Sequence, residues 1–189
     1  MRLDPIPPEN LSTDQRELHD DMARVVDTNF GELVIRRGDG AFVGPFNPWL
    51  HFPQFGRHAW ALNCSLWEHS VLPSRVHQLV ILVTAAKFGA RYEIYGHEYF
   101  AERAGLSAAK IATVVAGERP GDLDRAEGTA YDMAAALNRG GALPETTYRA
   151  AIAAFGDVGA AEIVFLVGCF SVVAVTLNAF DVSVPGRDD

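Results

Sequence analysis

Apolar residues recur along most of this chain at three- and four-residue intervals, the period of an amphipathic helix. Leu18, Met22, Val25 and Val26 share one face of a segment that opens at Leu11-Ser12-Thr13-Asp14, where Ser12 or Thr13 can cap the first turn. Phe55 to Glu68 reads as a second helix, ending near Ser70. Pro73-Ser74 starts a third, whose Val76, Leu79, Val80, Leu82, Val83 and Ala86 make a nearly continuous apolar surface. Gly89 interrupts it, and Tyr92 to Ala104 forms a fourth. Gly105-Leu106-Ser107 is a stop–start signal, with glycine past one helix end and serine capping the next. Further helices fit Ala108 to Ala116, Asp122 to Asn138, Pro144 to Phe155 and Asp157 to Phe180. Alternating strand patterns are scarce, so an all-α helical bundle is expected.

Two stretches depart from the helical rhythm. Gly38 to Pro53 interleaves glycines and prolines with Phe42, Phe46, Trp49 and Phe52. Gly and Pro oppose a regular helix, yet the aromatics want burial, which predicts an ordered loop over a pocket, over a subunit contact or plugged into the core. Ile163 to Phe180 carries no charged residue and reaches the lower length limit of a membrane span. It also holds Gly168, Ser171, Thr176 and Asn178 and is flanked by Glu162 and Asp181, which favours a buried helix or an oligomer contact over a membrane anchor.

Composition narrows the classes further. At 189 residues the chain suits one domain with a sizeable core. The net charge of −8, with Arg36-Arg37 the only adjacent basic pair, leaves no basic face for nucleic acid or for anionic membranes. Cys64 and Cys169 stand far apart with no C-x-x-C, as expected of reduced thiols in a cytoplasm. The N-terminal residues lack the apolar stretch of a secretory signal.

The candidate chemistry lies between Glu68 and Ser107. Glu93 and His97 stand four apart on a predicted helix, so both project from one face. A carboxylate beside an imidazole can orient the ring and tune its proton affinity. Tyr92 and His77 are further titratable groups nearby. Arg75 and Gln78, three apart near the start of the preceding helix, are candidates for the same cleft, with Arg75 as a carboxylate holder. Glu93 and His97 are also metal-ligand types, but no third ligand sits at a telling spacing and H-E-x-x-H is absent. No metal and no cofactor is expected. Phe46 and Trp49 of the aromatic loop offer stacking surfaces to an aromatic or alicyclic ligand.

The runs Glu68-His69-Ser70-Val71-Leu72-Pro73-Ser74-Arg75, Leu79-Val80-Ile81-Leu82-Val83, Tyr92-Glu93-Ile94-Tyr95-Gly96-His97-Glu98 and Ala104-Gly105-Leu106-Ser107 together resemble the core of the carboxymuconolactone decarboxylase and alkylhydroperoxidase D superfamily. Gly44-Pro45-Phe46-Asn47-Pro48-Trp49-Leu50 and Asn178-Ala179-Phe180-Asp181-Val182 resemble a loop and a C-terminal end carried by its longer members. The resemblance makes the chain a single domain, with a family core over 44–182 and an N-terminal helical extension and loop over 1–43. It implies a homo-oligomer; trimer, hexamer and dimer all stay open.

The peroxidase branch of that family works through a C-x-x-C pair activated by a glutamate, with a histidine four residues past the second cysteine. Counted back from His97, those cysteine places hold Glu93 and Ala90, and the glutamate's place holds Gln78. The resemblance to the decarboxylase branch, which needs no thiol, implies proton-transfer chemistry on a small organic acid or lactone. His97 would donate or accept the proton, and Glu93 would orient it or be the acid itself. Arg75, Gln78, Tyr92, Phe46 and Trp49 would hold the substrate. Two other readings stand beside it: a peroxide-reducing antioxidant protein that recruits Cys64 or Cys169, and a non-catalytic binding or assembly protein on the same fold.

Overall fold

Every residue of helix α4 (Ser74–Phe88) from Val76 to Ala85 is buried in the computed structural model, which describes residues 1–186. A helix apolar on nearly all sides can be stable only if other elements enclose it. Here α5 (Arg91–Arg103), α6 (Ala108–Val115), α7 (Arg125–Arg139) and α8 (Glu145–Ala179) all pack against it. Gly89, in the left-handed region at φ 59°, ends α4 and turns the chain into α5. Ser107 caps α6, and Asp124 with Glu127 forms a capping box on α7. On the other side, α1 (Thr13–Asn29) packs on α2 (Phe46–His51) and α3 (Pro53–Glu68), and α3 packs on α8. Ser12, with Gln15, makes the expected cap of α1. The described residues contain no strand beyond an isolated bridge between Arg36 and Phe42, so the chain is the all-α bundle expected.

The aromatic stretch differs in detail from expectation. Instead of an unbroken loop, Phe46–His51 folds into a short helix. Its Pro48 lies in the first turn, where the missing N–H costs no hydrogen bond. Phe42, Phe46 and Trp49 are buried. The N-terminal residues strap this helix down: Asn47 donates from Nδ2 to the Leu3 carbonyl at 2.9 Å, and His51 Nε2 lies 2.9 Å from the Asp4 carbonyl.

Helix α8 joins the two C-terminal helices read from the sequence into one element with a kink at Gly156. Its most apolar stretch is long enough to cross a membrane, but 56% of that stretch is buried inside this chain, against α3, α4 and α7. Val158, Phe165, Val172 and Val175 form an apolar stripe on its outer side and are 66%, 57%, 51% and 52% exposed.

The kink has a checkable cost. Gly156 sits at φ 68°, ψ −178°, a combination almost confined to glycine, and no atom lies within 4 Å of where a Cβ would stand. Gly156→Ala therefore meets no clash and is expected to lose about 1–3 kcal/mol from backbone strain alone. Urea unfolding measures it; an unchanged midpoint would mean that the two arms straighten freely.

Candidate functional site

Three helices turn a stripe at helical spacing toward one cavity. Glu93, Gly96, His97 and Phe100 come from α5, Trp60, Asn63 and Trp67 from α3, and Phe170, Val173 and Leu177 from α8. Phe46 and Trp49 of α2 close one side, and Phe30, at the end of α1, closes another. The cavity measures about 60 Å³ as space open to the centre of a water molecule, room for several waters or a small ring. A second hollow of about 260 Å³ lies beside it and shares Phe30, Trp60, Asn63, Trp67 and Phe100. Its remaining wall includes Asn29, Cys64 and Glu68.

The polar groups of the inner cavity are few. Glu93 is 3% exposed, and neither carboxyl oxygen has a hydrogen-bond partner. Burial without a partner disfavours the ionised form, so the carboxyl is held well above its ordinary value of 4.5 and stays protonated. His97 Nδ1 lies 2.8 Å from Gln78 Oε1. An amide oxygen only accepts, so Nδ1 carries the proton, and the Nε2 lone pair is free in a ring that lines the cavity. Burial, helped by nearby His77, pushes His97 down to about 3, which keeps it neutral. Phe170 meets its ring edge-on at 4.9 Å. Tyr92 also lines the cavity and is pushed upward by burial, so it stays a neutral phenol. Its ring packs so closely on Gly44 that a Cβ there would stand 2.4 Å away, and φ 67° disfavours a side chain at Gly44 in any case.

The structure brings Glu93, His97, Tyr92, Phe46 and Trp49 together, with Gln78 behind the histidine. Gln78, rather than Glu93, makes the hydrogen bond to His97. Arg75 is elsewhere. Its guanidinium lies at the surface, 3.0 Å from Asp124 and 3.3 Å from Glu127, on the side of α4 that faces α7. Those carboxylates cap α7 and occupy the arginine, so it cannot hold a substrate in this cavity.

Sequence reasoning passed over Asn63, Trp60 and Trp67, although their spacing on α3 sets them on one face. Glu162 of α8 was passed over too, because its partners are distant in sequence. Its oxygens meet Ser70 Oγ, the Val71 and Leu72 N–H groups and His77 Nδ1, the last at 3.0 Å. Burial alone would raise Glu162, but the bonds from His77, Ser70 and Val71 bring it below its ordinary value. Neither cysteine lines the inner cavity, and burial pushes both thiols up to about 11. The described residues contain no cluster of three or more potential metal ligands.

No family model matches the sequence, and no curated protein matches it. Solved structures do. The AhpD-core, peroxidase-related protein of Ralstonia eutropha JMP134 superposes with a TM-score of 0.74 at 16% identity, over 98% of this chain and 93% of that one. A complex of the debrominase Bmp8, as a cysteine-to-alanine variant, with 2,3,4-tribromopyrrole gives 0.71 at 13% identity, over 98% and 92%. A protein of unknown function from Agrobacterium tumefaciens, provisionally placed in AhpD-type antioxidant defence, gives 0.67 at 16%, over 75% and 97%. The fold is therefore the AhpD-like fold, and the chemistry has to be read from this chain's own residues.

Burial shifts the two central groups in opposite directions, which predicts opposite pH dependences. The Glu93 carboxyl ionises in the unfolded chain near 4.5 but keeps its proton when folded, so its contribution to stability falls as pH rises past that value. His97 contributes fully above 6.5, and its contribution is lost as pH falls toward about 3. Glu93→Gln should thus gain stability over the wild type near neutral pH, with the gap closing below 4.5. Denaturant unfolding across pH tests this; a gap that does not change with pH would mean that Glu93 ionises in the fold.

Proposed function

We propose that this chain, which carries the AhpD-like fold, is an enzyme of non-thiol proton-transfer type acting on a small organic acid or lactone, with Glu93 as acid and His97 as base. The observation that carries the reading is the partnerless, protonated Glu93 carboxyl four residues from a neutral His97 in an aromatic cavity. A buried carboxyl without a partner is costly by roughly 1–3 kcal/mol, and such groups persist where function needs them. Bmp8, of the same fold, holds a small halogenated ring, which supports an occupant of that size.

The chemistry balances without a cofactor. Glu93 donates its proton to a substrate carbonyl oxygen while His97 Nε2 takes the proton from the adjacent carbon. The C–H electron pair becomes the C=C bond of an enol, and the protein is left with a carboxylate beside an imidazolium. These opposite charges, one helical turn apart, stabilise each other inside the apolar cavity. Return of the proton from His97 to another carbon, with Glu93 recovering its own, gives an isomer and restores both groups. Gln78 fixes the base tautomer throughout. A peroxide-reducing role has less support, since thiols raised to about 11 offer little thiolate and neither lines the cavity.

Exchange of ring protons of a β,γ-unsaturated five-membered lactone with D2O, followed by NMR, tests the reading. The wild type should accelerate exchange, Glu93→Gln should lose about 100-fold or more, and His97→Ala should fall to the buffer rate. A Cys64→Ser, Cys169→Ser double variant should keep the activity. Unimpaired exchange by His97→Ala would sink the assignment.

The apolar stripe of α8, together with Leu62 of α3, supports assembly with further copies of the same chain. Sedimentation should give more than one chain per particle, and Phe165→Glu, in the middle of that stripe, should dissociate it. A wild type that sediments as a monomer at micromolar concentration would refute assembly.

A further inference from the structure

Resting on the proton-transfer reading, the nature of the cavity wall narrows the substrate class. Among the residues that line the inner cavity there is no lysine and no arginine. The adjoining hollow, which shares Phe30, Trp67 and Phe100 with it, has none either and carries the Glu68 carboxyl. Trp60, shared by both hollows, donates from Nε1 to Asp21 Oδ2 at 2.7 Å, which places a further carboxylate behind that wall. Arg75 is held outside by Asp124 and Glu127, and Arg36, next to the cavity residue Ile35, is paired with Asp27. What the interior offers instead is a wall of flat aromatic faces with Asn63, Tyr92, a Glu93 carboxyl without a partner and a His97 ring with one free lone pair.

An anion moved into such a space would leave its hydration shell and meet no compensating positive charge, a transfer that costs far more than any stacking contact returns. The net charge of −8 adds a repulsive field on the way in. A neutral ring loses little water and gains the aromatic faces. We infer that this cavity takes an uncharged flat ring with a hydrogen-bond acceptor beside the atom that gives up its proton, and that it turns away the carboxylate of the same shape. Of the two classes set out above, the site is a lactone site and not an organic-acid site. The acceptor meets the Glu93 O–H, and the proton-bearing atom faces His97 Nε2.

Furan-2-carboxamide and furan-2-carboxylate have the same shape and differ in charge, so they make the test. Binding of each to the full-length protein near neutral pH is followed by titration calorimetry and by the shift in melting temperature. The amide should bind at least about 10-fold more tightly than the carboxylate, a gap of about 1.4 kcal/mol. Its affinity should drop in His97→Ala, a variant checked for cooperative melting. Asn63→Lys, which sets a cation on the wall shared by the two hollows, should narrow or reverse the preference. A carboxylate that binds the wild type as tightly as the amide, or no binding of either compound, overturns the inference. Selective amide binding without lactone exchange would keep the substrate class and remove the proton-transfer reading. Lactone exchange without selectivity would do the opposite.

Discussion

The enclosure of α4 is the constraint on which the remainder of the structure depends. A helix surrounded by four others has no solvent for its polar side chains, so His77, Gln78 and Thr84 must each find a partner inside the protein. His77 finds Glu162 on α8, Gln78 finds His97 on α5, and Thr84 bonds back to Val80 and accepts from Asn138 of α7. Three of these bonds tie the buried part of the central helix to α5, α7 and α8. One of them fixes the tautomer of the histidine on which the proposed chemistry turns. The need to satisfy donors and acceptors in a dry interior thus orients the histidine, while Glu93 is left without a partner.

The same dryness explains why the acid and the base of the cavity are both uncharged. Desolvation penalises whichever form carries charge, so it raises the carboxyl and lowers the imidazole. In water Glu93 would be ionised at neutral pH; in this cavity it becomes a hydrogen-bond donor, and His97 offers a lone pair. Ion-pair formation is deferred to the moment when a substrate bridges them, which is when it contributes to catalysis. The contrast with Glu162 is instructive. That carboxylate is also shielded from solvent, though it borders an outer hollow with Val158 and Phe165, and the hydrogen bonds it accepts keep it ionised. Burial alone does not decide charge; burial with or without partners does.

Selectivity follows from the surroundings of the site. The outer hollow shares Trp67, Phe30 and Phe100 with the inner one, and both lack cations among their lining residues. The cations near α4 serve elsewhere: Arg75 and Lys110 hold Asp124 and Glu127 where α6 and α7 meet. The charges of this protein therefore stabilise helix ends and contacts between helices, and the cavity is left to shape, aromatic surface and two neutral titratable groups.

Sequence alone determined the helical class, most helix limits, the interruption between Phe155 and Asp157 and the placing of Glu93 and His97 on one face. Those features rest on interactions within a few residues: the 3.6-residue period, capping side chains and the backbone freedom of glycine. It also required Phe46 and Trp49 to be buried, over a pocket, at a subunit contact or in the core, because apolar rings in a glycine- and proline-rich stretch have to be buried somewhere. Only the tertiary structure decided which group touches His97, since Gln78 and His97 lie nineteen residues apart and meet across two helices. It removed Arg75 from the site, because the capping carboxylates of a distant helix were better placed to hold it. And it made Glu162 the partner of His77, across 85 residues of chain. Local physics is written in neighbouring residues. The charge of a buried group depends on what the fold brings against it from elsewhere.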